Sequence, residues 1–196
     1  MKLLLVLPPS PFLIDDRAFV YLGPLQIAAV AREASCDVSV LDLTGHRRRC
    51  AEAEHNGCLD AESARMLRDA VTAHDPALVG FYALYAHMPW VVRLRRVLRE
   101  HAPTIPAAIG GPHANTSPEE CRRHGFDYAV VSDQGGGGGE AGFLARLQAV
   151  RSHEAVVAGN GDPRILRVPS RPPGVVYDRG QYINDRWPYP ARDLIE

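Results

Sequence analysis

At 196 residues, with 46% hydrophobic and 23% charged residues, the chain has the makeup of one globular domain plus an extra segment, not that of a disordered or fibrous protein. A formal net charge of −1 gives no electrostatic ground for binding nucleic acid or an anionic membrane. Four cysteines, Cys36, Cys50, Cys58 and Cys121, form neither CxxC nor CxxxCxxC, so neither a zinc nor an iron–sulfur motif is signalled.

Free thiols in a reducing cytoplasm are the expectation for those cysteines. Met1 to Leu7 is apolar but halts at Pro8-Pro9, too short for the apolar region of a signal peptide. No apolar run approaches the roughly 18 residues of a membrane span. A cytoplasmic location with no membrane contact is therefore expected.

In chain order, Leu3 to Leu7 (LLLVL) is a continuous apolar run, the pattern of a strand buried on both faces. Leu22 to Ala34 follows with Leu25, Ala28 and Ala29 at helical spacing. Val38 to Leu41 is a second strand, Ala61 to Ala73 a second helix, and Ala77 to Ala83 a third strand. Pro89 to His101 has the clearest helical stripe, with Trp90, Val91, Leu94, Val97 and Leu98 on one face, while Arg93, Arg95, Arg96 and Arg99 occupy the rest and read as a solvated face. Pro106 to Ile109 is a fourth strand running into Gly110-Gly111. Ser117-Pro118-Glu119-Glu120 opens another helix, with serine as expected cap and acids in the first turn. Tyr128 to Val131 is a fifth strand, followed by a glycine run and a helix to about Val150.

Five β-α units without polar alternation in the strands predict an α/β fold: a doubly wound, flavodoxin-like parallel sheet in the order 2-1-3-4-5. This domain covers residues 1–150. Residues 151–196 are proline-rich and lack a helical stripe, and they read as a linker with a small hairpin near Gly174 to Tyr182. In such a fold the ligand crevice lies at the carboxyl ends of the strands. The segments of interest are Pro8 to Asp16, Asp42 to His46, Tyr82 to His87, Gly110 to His113 and Ser132 to Glu140.

Taken together, several segments carry a family resemblance. They are Leu3 to Pro9, Leu22-Gly-Pro-Leu-Gln-Ile-Ala-Ala-Val-Ala-Arg-Glu33, Val38 to Leu43, Val79-Gly80, Ile109-Gly-Gly-Pro-His-Ala114, Phe126 to Val131, Pro173 to Tyr177 and Pro190 to Leu194. In this order the chain resembles the cobalamin-binding N-terminal domain of cobalamin-dependent (class B) radical S-adenosylmethionine enzymes. The resemblance implies cobalamin as cofactor. It also implies a C-terminal radical S-adenosylmethionine domain as partner, which would carry the S-adenosylmethionine and the [4Fe–4S] cluster. The resemblance implies that the intact enzyme is a methyltransferase acting on an unactivated carbon of a small-molecule or natural-product substrate, with ring closure or rearrangement, for which some relatives use the same architecture, as the alternatives. By itself the chain is expected to bind and not to catalyse.

The implied cofactor-binding residues are Pro8, Pro9 and Ser10 after the first strand and Gly23 at the first helix. Tyr82, Ala83, Leu84, Tyr85 and His87 follow the third strand, and Gly110, Gly111, Pro112 and His113 the fourth. Gly139 and Glu140 follow the fifth. Gly110-Gly111 without side chains lets the backbone approach a ligand closely, and a tight strand-to-helix turn is the competing explanation.

The departures are informative. Cobalamin domains of the methionine-synthase type carry DxHxxG after the first strand, whose histidine ligates cobalt. Here that loop is Pro8-Pro-Ser-Pro-Phe-Leu-Ile-Asp-Asp16, without histidine, so no metal ligand is assigned and His87 is the alternative candidate. Tyr82 stands where the same group has the serine of SxL. Gly135 to Gly139 replaces an acidic glycine-rich stretch, and its accidental GxGxxG follows the wrong strand for a dinucleotide site. Two rivals stay open: a degenerate module that has lost cobalamin and serves as a scaffold or docking surface, and a flavodoxin-like nucleotide or flavin enzyme.

Overall fold

The structure, a computed structural model, describes residues 1–10, 13, 15–18, 20–45, 55–132, 162, 164–168 and 191–195. Its strands are β1 (Lys2–Leu7), β2 (Asp37–Asp42), β3 (Leu78–Tyr82), β4 (Ala107–Gly110), β5 (Tyr128–Ser132) and β6 (Ile165–Val168). They form one sheet in the order β2-β1-β3-β4-β5-β6. Every pairing is parallel. The five predicted strands and their 2-1-3-4-5 order are all present. The sheet carries one strand more than predicted: β6, from the stretch read as linker, pairs with β5 from Ala129↔Ile165 to Ser132↔Val168.

The helices are α1 (Leu22–Glu33), α2 (His55–His74), α3 (Met88–His101), α4 (Pro112–Thr116) and α5 (Pro118–Arg123). Helix α2 starts six residues before the predicted Ala61. Ser117 does stand at the N-cap of α5, but its side chain makes no capping hydrogen bond. The glycine run, the expected helix to Val150 and the expected hairpin near Gly174 lie outside the described residues.

Continuous apolar strands demand cover on both faces, and the core accordingly has two halves. One half unites Leu4, Val6, Val79, Phe81 and Ile109 of the sheet with Leu67 and Val71 of α2, Val91, Leu94 and Leu98 of α3, and Phe126. Phe81 and Phe126 meet edge to face with centroids 5.6 Å apart, the geometry aromatic quadrupoles favour. The other half packs Leu3, Leu5, Val38, Leu78 and Ala108 under Ala28, Ala29, Val30 and Ala31 of α1, joined by Ala191 from the far end of the chain. At Gly80 the packing is close: a Cβ would come within 2.9 Å of Leu5 Cδ2, the far end of a side chain that would have to shift.

Arg95, expected on the solvated face of α3, is buried instead. Its Nε donates to Gly125 O at 2.9 Å and its Nη2 to Asp127 Oδ2 at 3.1 Å. The same carboxylate oxygen accepts the Ala107 N–H at 2.8 Å. This network locks the amino ends of β4 and β5.

Candidate functional site

In each β-α unit the strand rises to the carboxyl edge and the chain turns there. Pro8-Pro9 end β1 because proline offers no N–H to continue the ladder. Both prolines and Ser10 are buried. Backbone bonds tie the next loops together: Ala83 N–H donates to Gly110 O at 2.9 Å, and His113 N–H to Ala83 O at 3.1 Å. Beside them, Asp16 Oδ1 accepts the Gly45 N–H at 2.9 Å, and Asp42 Oδ1 accepts the N–H and the hydroxyl of Thr44 at 2.9 and 2.7 Å.

The two adjacent glycines have different reasons to be there. Gly111 has φ +106°, and a Cβ would lie 2.8 Å from Ala83 O and 3.0 Å from the Tyr82 ring. The turn itself demands that glycine. At Gly110 a Cβ would meet only Val130 Cβ, at an ordinary 3.8 Å, and at Gly23 it would meet nothing within 4 Å. Nothing among the described residues requires glycine at 110 or 23, and both leave room at the carboxyl edge. The exposed large hydrophobic residues among those described are Val20, Leu22 and Tyr85. All three lie where the chain passes this edge, just before α1, at its first residue or just after β3.

A polar node sits at the centre of the edge. His87 is fully buried in the 3₁₀ turn Tyr85–His87. Its Nδ1 accepts the Leu84 N–H at 3.2 Å. That bond fixes the neutral tautomer with hydrogen on Nε2. Nε2 lies 2.8 Å from Ser10 Oγ and 3.2 Å from Tyr21 Oη. Ser10 Oγ and Tyr21 Oη are themselves 2.5 Å apart. Burial pushes the imidazole pKa down to about 4, so the ring is neutral at physiological pH. With both nitrogens hydrogen-bonded inside the fold, His87 would have to break one bond to ligate a metal.

Tyr21 also packs on Tyr82, with ring centroids 5.1 Å apart. Burial, above all, raises the pKa of both phenols and keeps them protonated. His113 is buried, its ring 5.7 Å from that of Tyr85. Its Nε2 stands 3.5 Å from Glu120 Oε2 without hydrogen-bond geometry. Leu84 is half-buried and Pro112 exposed at the same edge. Gly139 and Glu140 lie outside the described residues. Among the described residues no group of three or more His, Cys, Asp or Glu side chains is placed to hold a metal ion.

Ser10 thus meets His87, Tyr82 meets Gly111, Tyr85 meets His113, and Ala83 joins Gly110 to His113, whereas Gly23 stands apart. Tyr21, the residue that links the first and third loops, was not among the predicted site residues. No motif marks a tyrosine just ahead of a helix, and its partners are 11 and 66 positions away.

Residues 20–138 match the family described as B12 binding domain, which is more than half of the chain. The chain belongs to that family. None of the curated proteins matches it. Among the described residues no helix is long and apolar enough to cross a membrane. As a cobalamin-binding domain the chain fits its ligand on physical grounds. Gly110 and Gly23 leave side-chain room at the carboxyl edge, while Val20, Leu22 and Tyr85 offer apolar surface to a wide, flat macrocycle. The family match favours the corrinoid over the nucleotide or flavin alternative. It begins after β1, yet β1 lies between β2 and β3 in the sheet and supplies Ser10 to the edge.

Proposed function

We propose that this cobalamin-binding domain serves a class B radical S-adenosylmethionine enzyme, a C-methyltransferase. Its partner is a C-terminal radical domain that holds the [4Fe–4S] cluster and S-adenosylmethionine, and its substrate is a small molecule or natural product. One observation supports this reading above the others. The described part of the loop after β1 holds no histidine, and His87, the buried histidine nearest to it, has both ring nitrogens engaged. Cobalamin bound here would meet no histidine in the described part of the loop after β1 and no unengaged ring nitrogen at His87. When bound, the cofactor supplies a methyl group carried on cobalt. The chain's own residues would hold the corrinoid at Gly110 and the apolar rim, while the node of Ser10, Tyr21 and His87 ties the first and third loops together.

Electron paramagnetic resonance of the chain loaded with cob(II)alamin tests the axial arrangement. The expected spectrum lacks nitrogen splitting from a lower ligand. Nitrogen splitting that disappears when His87 or His113 is replaced would contradict the proposal. The radical context has its own test. The protein or complex in which the domain works, isolated without oxygen, is expected to contain a [4Fe–4S] cluster and to cleave S-adenosylmethionine reductively. Failure to retain any cobalamin would turn attention to the scaffold alternative.

A further inference from the structure

The hydrogens of the buried node can be counted. The Leu84 N–H occupies His87 Nδ1, so Nε2 carries a hydrogen and has no lone pair to offer. Three hydrogens then sit in the triangle, one each on His87 Nε2, Ser10 Oγ and Tyr21 Oη. The Nε2 hydrogen serves both contacts of the imidazole, at 2.8 Å to Ser10 and 3.2 Å to Tyr21. The short Ser10–Tyr21 contact of 2.5 Å uses one hydroxyl hydrogen. One hydroxyl hydrogen is left with no acceptor inside the triangle.

Its position follows from burial. Ser10 is completely inaccessible, so a spare hydrogen there would face the interior and be lost as a hydrogen bond. Tyr21 is half-buried and stands at the carboxyl edge, its ring against Tyr82 at the end of β3. The lower-cost arrangement has Ser10 Oγ–H donating to Tyr21 Oη, with the Tyr21 hydrogen directed out of the triangle. The phenol also keeps that hydrogen, since burial raises its pKa.

We propose that Tyr21 is a cobalamin-positioning residue, donating its spare hydroxyl hydrogen to a carbonyl or phosphate oxygen of the bound corrinoid. This rests on the assignment of the chain as a cobalamin-binding domain. A corrinoid carries such acceptors in two places, the amide side chains of the ring and the phosphate-containing nucleotide tail. Ser10 and His87 both approach the Tyr21 oxygen from behind, which leaves its own hydrogen to face the ligand.

The test is a titration of the full chain with hydroxocobalamin, followed by visible absorbance, alongside thermal unfolding of each variant. Tyr21→Phe keeps the ring on Tyr82 and removes the hydrogen, and its Kd is expected to rise about five- to tenfold. Ser10→Ala breaks the triangle but leaves that hydrogen in place, because His87 Nε2–H still supports Tyr21 Oη. Its Kd is expected to rise only about twofold, although it disturbs the node as much. Equal Kd values for wild type and Tyr21→Phe overturn the proposal and leave the family assignment standing. Equal weakening by both variants also overturns it, since the node would then act through structure alone. A wild-type chain that does not bind hydroxocobalamin overturns the proposal together with the assignment. Repeating the titration with cobinamide, which lacks the nucleotide, locates the acceptor. A Tyr21→Phe loss with both ligands places it on a ring amide, and a loss with cobalamin alone places it on the tail.

Discussion

The two ends of the sheet solve the same problem, polar groups brought inside a fold, in different ways. At the amino edge Arg95, Asp127, the Ala107 N–H and the Gly125 carbonyl close on one another. At the carboxyl edge Ser10, Tyr21 and His87 hold three hydrogens for two usable acceptor positions, and Val20, Leu22 and Tyr85 remain exposed. Both edges contain buried polar side chains, so burial alone does not distinguish a structural network from a binding site. What distinguishes them is where the unmatched hydrogen lies: at the Ser10–Tyr21–His87 node it falls on Tyr21, half-buried at the carboxyl edge beside the exposed Val20, Leu22 and Tyr85.

That contrast can be broken by substitutions that separate stability from affinity. The largest effect is expected at Gly111, where alanine would adopt φ +106° and push its Cβ against Ala83 O. Gly111→Ala should destabilise by about 3 kcal/mol, read as a fall in the denaturant midpoint. A loss below about 1 kcal/mol would show that the turn can relax. At the amino edge, Asp127→Ala strands Arg95 Nη2 and the Ala107 N–H. A loss of about 2–3 kcal/mol is expected there, with the hydroxocobalamin Kd unchanged. A weakened Kd would mean the two edges communicate.

Acid acts on the other edge. His87 is neutral in the fold, with its pKa lowered from 6.5 to about 4, whereas the unfolded chain takes up a proton below about 6.5. The folded state therefore loses stability as pH falls from about 6.5 toward 4, by about 2 kcal/mol at pH 5. His87→Gln should lose that part of the pH dependence, which urea titrations at pH 7 and pH 5 compare directly. A smaller effect is expected of Gly110→Ala. Its Cβ meets only Val130 at 3.8 Å, so unfolding should change little, while the Kd for hydroxocobalamin rises about tenfold, or about 1.4 kcal/mol. Leu22→Ser, on the exposed rim, comes last, with about a threefold weaker Kd and no measurable change in stability. If neither of these two variants changed binding, the ligand edge would have to be sought elsewhere.

Much of this fold is legible in the sequence because buried parallel strands announce themselves as unbroken apolar runs. Leu3 to Leu7 and Leu78 to Phe81 need no partner to be recognised. The sixth strand is different. Ile165-Leu-Arg-Val168 is four residues with an arginine among them, in a proline-rich stretch, and only its pairing with β5 makes it a strand. Arg95 was misread for a related reason: a helical wheel shows an arginine among arginines, and not the Asp127 carboxylate 32 positions away. The site divides likewise. Gly110, Gly111, Tyr82 and His87 follow from the rule that ligands gather at strand ends. Tyr21 does not, because its role depends on a hydrogen count among three side chains from three loops.

Near the far end of the chain, Ala191 N–H donates to Leu25 O at 3.1 Å, and Arg32 pairs with Asp193 across 161 positions. Closing so long a loop is entropically slow, and a sheet made wholly of parallel neighbours already depends on distant pairings. The covering of α1 by residues 191–195 should therefore be among the last events in folding. A fluorescent label at position 192 would report the completion of folding, after the sheet itself has formed.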